Sequence, residues 1–141
     1  MVSQAQQTVK LNIVACDGHL EGTPTEVELC LLVCPEGSDT QLELLSVGFR
    51  ANTLPDDADG TILIDLEWID DSINDDITVL ESAFSLENLT NLVNNEVWRG
   101  HQLMDSGDAI NVVFSVSTAP ISTPGQGCAF VVEYRVVRHS G

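Results

Sequence analysis

The chain has 141 residues, the size of one domain. It carries 22 acidic and 5 basic residues, a formal charge of −17, and 43% of its residues are hydrophobic. That balance argues against intrinsic disorder, which pairs high charge with low hydrophobicity. It also argues against binding to nucleic acid or an anionic membrane surface, both of which need Lys and Arg clustered on one face.

The opening stretch, Met1 to Lys10, has no basic region followed by an apolar run, so it does not read as a secretory leader. No window reaches the run of about 18 apolar residues that a membrane-spanning helix needs. The expectation is a chain kept in the cytoplasm or assembled there into something larger. Met1 to Gln7 is polar and reads as an arm, with residues 8–141 as a single domain.

From there the runs alternate with turn signals. Thr8 to Cys16 places Val9, Leu11, Ile13 and Ala15 on one face. Asp17-Gly18 and Glu21-Gly22-Thr23-Pro24 break the chain. Glu26 to Cys34 puts Val27, Leu29, Leu31 and Val33 together, and Pro35-Glu36-Gly37-Ser38 turns. Gln41 to Phe49 sets Leu42, Leu44 and Ser46 against Glu43, Leu45, Val47 and Phe49. After the polar loop Leu54 to Gly60, Thr61 to Ile69 has Ile62, Ile64, Leu66 and Trp68 on one face and Asp65 and Glu67 on the other.

An acidic turn, Asp70 to Asp76, precedes a weaker strand signal from Ile77 to Phe84. Leu86, Leu89, Leu92 and Val93 then stand at helical spacing after Ser85, a suitable N-cap, and predict a short helix. Glu96 to Met104, Ala109 to Ser117 and Gly127 to Arg138 complete the strands. The penultimate one points Ile110, Val112, Phe114 and Val116 inward, and the last points Phe130, Val132, Tyr134 and Val136 inward. The pattern predicts an all-β chain: an antiparallel β-sandwich, jelly-roll-like, or a small barrel of seven or eight strands with at most one short helix.

Several strands carry apolar residues on both faces, and a sheet with one solvated face needs only one. Leu32, Leu45, Leu63, Val113 and Val131 are therefore candidates for a second buried surface, such as a subunit interface. Arg135 and Arg138 join them because the charge is uneven. Twelve acidic residues and no basic one lie between Arg50 and Arg99, whereas Ala109 onward holds one acid, Glu133, against Arg135 and Arg138. In a self-associating protein the basic end of one copy would meet acidic loops of another.

Catalytic chemistry is hard to find. His19, His101 and His139 sit outside any nucleophile motif. Asp65 and Glu67 share a strand face, as paired carboxylates for glycoside hydrolysis would, but aromatic residues make up only 5% of the chain and leave few platforms for a sugar. No enzyme activity is expected. Calcium is the best metal candidate, since hard cations take oxygen ligands from acidic loops, and Asp57, Asp59, Asp71 and Asp75 are the candidate ligands. No other cofactor is expected. Gly125-Gln126-Gly127 precedes a strand, not a helix, so it offers no phosphate cradle. Asn88-Leu89-Thr90 matches the glycosylation sequon, which requires a secretory route.

Cys16, Cys30, Cys34 and Cys128 lack zinc-site spacing. Period-2 alternation puts Cys30 and Cys34 on one face, about 13 Å apart, too far for a direct disulfide. Four reduced thiols used as small apolar residues are expected, the alternative being a disulfide to another strand such as Cys16 to Cys30.

The segment Leu54-Pro55-Asp56-Asp57-Ala58-Asp59-Gly60-Thr61, then Ser106 to Phe114, then Gly125-Gln126-Gly127-Cys128 leading into Val131 to Arg138, resembles small all-β virion proteins of tailed bacteriophages, which decorate or cement the head shell. The resemblance covers residues 54–138 and lies in style, not in a diagnostic motif. It implies a capsid decoration or cement subunit in the virion, assembled in the host cytoplasm. It also implies binding to the major capsid protein or another virion protein, often as a homotrimer, without catalysis. The alternative is a carbohydrate- or ligand-binding β-sandwich module, with an exposed aromatic platform at Trp68 or Trp98.

Overall fold

The computed structural model describes residues 6–16, 26–35, 40–57, 61–70, 76–117 and 122–138. Eight strands run through them: β1 Gln6–Ala15, β2 Glu26–Val33, β3 Thr40–Arg50, β4 Ile62–Asp70, β5 Asp76–Ser85, β6 Asn95–Met104, β7 Ala109–Val116 and β8 Ala129–Arg138. Each lies within two residues of its sequence-predicted bounds, because Gly, Pro and Asp clusters end the ladders where they occur.

The strands form two four-stranded sheets, β1-β8-β3-β6 and β2-β7-β4-β5, antiparallel throughout. The pairings nest: β1 with β8, β2 with β7, β3 with β6, β4 with β5. The chain is thus one long hairpin with its tip at β4 and β5, rolled so that β3 also meets β8 and β4 also meets β7. This is the jelly roll, and it selects the sandwich over the barrel. The apolar inner faces close on one another: Phe130 of β8 stands edge-on to Phe49 of β3 at 5.1 Å and tilted against Phe114 of β7, in the opposite sheet, at 5.9 Å.

Strict alternation predicts the inner face correctly on β4, β7 and β8. It fails on β1, β2 and β3, where bulges intervene. In β2 the ladder shifts between Cys30 and Leu32, so Leu31 and Leu32 are both buried, Cys34 is buried and Val33 is 53% exposed. Cys30 is exposed, so the two cysteines do not share a face as period 2 predicts. In β3 the shift between Leu44 and Ser46 brings Leu42, Leu44, Val47 and Phe49 all inward. In β1 a shift between Val9 and Asn12 turns Val14 and Cys16 toward the core and leaves Ile13 at 65% exposure. One inserted residue switches every later side chain to the other face.

The helix predicted after Ser85 shortens to one 3-10 turn, Leu86–Asn88. Ser85 makes no side-chain cap, and Asn95 organises the chain beyond instead. Its Oδ1 accepts from Thr90 N at 3.0 Å, and its Nδ2 donates to the carbonyls of Thr90, Val93 and Phe49. Leu86 is buried, but Leu92 and Val93 are exposed, and Leu92 adopts a left-handed φ of 67°.

Candidate interaction faces

The sequence-predicted interface residues divide three ways. Leu45, Val131 and Arg135 lie on the outer face of the β1-β8-β3-β6 sheet, while Leu63 and Val113 lie on the outer face of the other sheet. All five are half-buried, and the four apolar ones stand apart from the central core. Arg138 belongs to β8, but its side chain lies outside the described residues. Leu32 is corrected: the β2 bulge turns it into the core, at 8% exposure, so it has no outer surface to offer.

Lys10, Arg50, Arg99, Arg135 and Arg138, the whole basic complement of the chain, all lie on strands of the β1-β8-β3-β6 sheet. Those strands hold three acids, Glu43, Glu96 and Glu133, so the sheet sums to 5 − 3 = +2. The strands of the β2-β7-β4-β5 sheet hold two acids on β2, three on β4 and two on β5 with no basic residue, a sum of −7. The charge gradient along the sequence becomes a difference between the two sides of the sandwich.

On the outer face of the first sheet the three glutamates are paired in place. Arg135 pairs with Glu43 across β8 and β3, and His101 Nδ1 of β6 stands 3.6 Å from the same carboxylate. The Arg135 hydrogen bond holds the Glu43 carboxyl below the usual glutamate range, outweighing the effect of burial. Arg99 pairs with Glu96 at 2.8 Å and reaches Glu133 at 3.9 Å, and Ser46 Oγ donates to Glu133 at 3.3 Å. On the other sheet, Glu28 and Asp65 flank Val113 in one cross-strand row, and Asn111 Nδ2 donates to Glu28.

The other candidates have structural surroundings. Asp57 is 3% exposed and accepts from Ser122 Oγ at 3.2 Å, where Asp56 bridges to Thr123. Asp59, Asp71 and Asp75, the remaining proposed calcium ligands, lie outside the described residues, as do His19 and His139. Gly125 and Gly127 have φ of 91° and 61° and shape the loop that bridges Thr53 to Gln126. Trp68 and Trp98 are half-buried and pack against the core, and Trp68 Nε1 donates to the buried carboxylate of Asp108 at 3.2 Å. Neither indole is an exposed platform for a sugar. Cys16, Cys34 and Cys128 are buried and Cys30 is exposed; burial pushes the Cys34 thiol up. Among the described residues, no helix is long and apolar enough to cross a membrane.

Exposed large apolar side chains mark all four edge strands: Ile13 on β1, Leu103 on β6, Val33 on β2, and Ile77 and Val79 on β5. Leu92 and Val93 add a pair in the loop before β6. Sequence reasoning placed Ile13 and Val33 in the core, because a bulge leaves no mark in hydrophobic periodicity.

The strand order places the chain in the jelly-roll class, an architecture used by viral capsid, lectin and cupin domains. No family profile matches the chain, and no curated protein matches it. Among solved structures, it is similar to the VP2 subviral particle of infectious bursal disease virus, with 13% identity and a TM-score of 0.40, over 99% of this chain and 31% of that one.

Proposed function

We propose that the chain is a non-enzymatic structural subunit of a virion, a decoration or cement protein that binds the capsid shell. The observation that carries this reading is the strand order β1-β8-β3-β6 and β2-β7-β4-β5, the eight-stranded roll that capsid proteins use. Apolar side chains left exposed on every edge strand, and half-buried ones on both outer faces, accord with it, because a neighbouring subunit would cover them. Lectin domains share the roll, but the half-buried, core-packed setting of Trp68 and Trp98 weighs against sugar stacking. The test expresses a tagged copy in the source host, bands particles on a density gradient and assays the band. Recovery at fixed stoichiometry with particles is expected. Recovery only in the particle-free fraction overturns the reading, and binding to a glycan panel from that fraction moves it to a lectin-like module.

A further inference from the structure

We propose that the outer face of the β2-β7-β4-β5 sheet carries a binding site, built around Asn111, for an arginine side chain presented by a partner protein. The inference goes beyond the shell-subunit reading and does not rest on it.

Ile110, Val112 and Phe114 of β7 are fully buried in the core, so alternation turns Asn111 and Val113 to the outer face. An outward asparagine is ordinarily wet, yet Asn111 is only 9% exposed. Its Nδ2 donates to Glu28 of β2. Its Oδ1 is buried and has no hydrogen-bond partner. A buried acceptor without a donor is costly, and each one in a folded protein calls for an explanation.

The neighbours supply one. Asn111 stands between Cys30 of β2 and Glu67 of β4 in one cross-strand row. In the next row Val113 stands between Glu28 and Asp65. With Nδ2 turned to β2, the planar amide turns Oδ1 to the β4 side, where Glu67 is the cross-strand neighbour. The orphaned oxygen thus sits among the carboxylates of Glu28, Asp65 and Glu67, and the strands of this sheet contribute no Lys or Arg. An acceptor in that setting calls for a cationic donor.

The spread of the acceptors selects the donor. Among the described residues, no group of three or more His, Cys, Asp or Glu is gathered tightly enough to hold a metal ion. The acceptors instead span three strands about 4.8 Å apart and two rows about 6.8 Å apart. A guanidinium, whose N–H donors fan out in one rigid plane, suits that spread better than an ammonium, a compact point charge. Set over Asn111, it donates to Oδ1 and to the Glu67 carboxylate, and its methylene stem lies along half-buried Val113. Asp65 and Glu67 are half-buried, so part of their water is already gone before the cation arrives. The chain's own Arg50, Arg99 and Arg135 are engaged on the other sheet with Asn52, Glu96 and Glu43, and copies of −17 repel, so the arginine is a partner's.

The test titrates N-acetyl-arginine amide into the isotope-labelled chain, followed by NMR, with N-acetyl-lysine amide and calcium chloride as comparison probes at matched ionic strength. The backbone amides of Asn111, Val113 and Glu67 should shift together and saturate, at least about fivefold more tightly with arginine amide than with lysine amide. A chain of −17 attracts any cation, so a response that does not saturate, matches that of lysine amide, or centres on another acidic segment overturns the proposal. Tighter binding of calcium at the same amides overturns it in favour of a metal site. Asn111→Leu removes the orphaned oxygen at nearly constant volume, and Glu67→Gln removes the charge opposite it. Each should weaken arginine amide binding at least about fivefold. Asn111→Leu should do so without lowering Tm, because it also removes an unmet buried acceptor. Unchanged binding in either variant overturns the proposal, and if Asn111→Leu loses its cooperative melt, Glu67→Gln decides. These readouts concern one site alone, so their failure leaves the particle-banding result standing.

Discussion

Asp108 is 1% exposed, a costly place for a carboxylate unless it is hydrogen-bonded. Oδ2 accepts from the Trp68 indole at 3.2 Å and from Asp105 N at 3.0 Å, while the Asp108 carbonyl takes Cys34 N at 2.8 Å. One residue thus ties the turn between β6 and β7 to Trp68 and to the end of β2. Asp108→Ala strands two donors, and the expected loss is about 2 kcal/mol, a drop in Tm of roughly 5–8 °C by circular dichroism. An unchanged melt would show that water replaces the carboxylate at no cost. Trp68 itself was legible as an inward residue; its acceptor, 40 residues away, was not, because nothing in local sequence marks which turn a strand end will meet.

At the scale of elements, alternation predicted three inner faces completely and misassigned three others at a single inserted residue each. Bulges are set by the mismatch between two paired ladders, so they belong to the pair and not to either strand. The same holds for the ion pair across β3 and β8. Glu43 is 18% and Arg135 29% exposed, so screening reduces but does not erase the pair. The Glu43 pKa is lowered on folding. Its stabilisation is therefore complete above the ordinary glutamate range near pH 4.3 and is lost as pH falls through the lowered folded value. Glu43→Gln should cost about 1 kcal/mol in urea unfolding near neutral pH, with the difference from wild type shrinking as pH falls through the lowered folded value. A difference that persists in acid would assign the effect to packing.

For the whole molecule, the roll pairs the two ends of the described chain: Gln6 stands opposite Val137, 131 positions away. Little of the fold is local beyond the β4–β5 hairpin, so loop closure must be achieved before most pairings stabilise anything. Refolding after dilution from urea should take milliseconds to seconds when followed by tryptophan fluorescence. Microsecond refolding would indicate a nucleus more local than this topology contains. Deleting β8 should abolish the cooperative melt, because β8 lies between β1 and β3 and supplies Phe130 and Val132 to the core.

The all-β class, seven or eight strands and nearly all their bounds are decided by the sequence alone, because turn residues and two-residue alternation act over a few neighbours. So is the excess of acid and its concentration in the middle of the chain. Tertiary structure alone decides which strands pair, where the bulges fall, and hence that Leu32 faces inward while Ile13 and Val33 face out. It also decides that every basic residue of the chain lies on one sheet, since strands distant in sequence become neighbours only when the hairpin rolls. A charge on one strand has no side until the sheet exists, and the surface on which a partner would act is made of such sides.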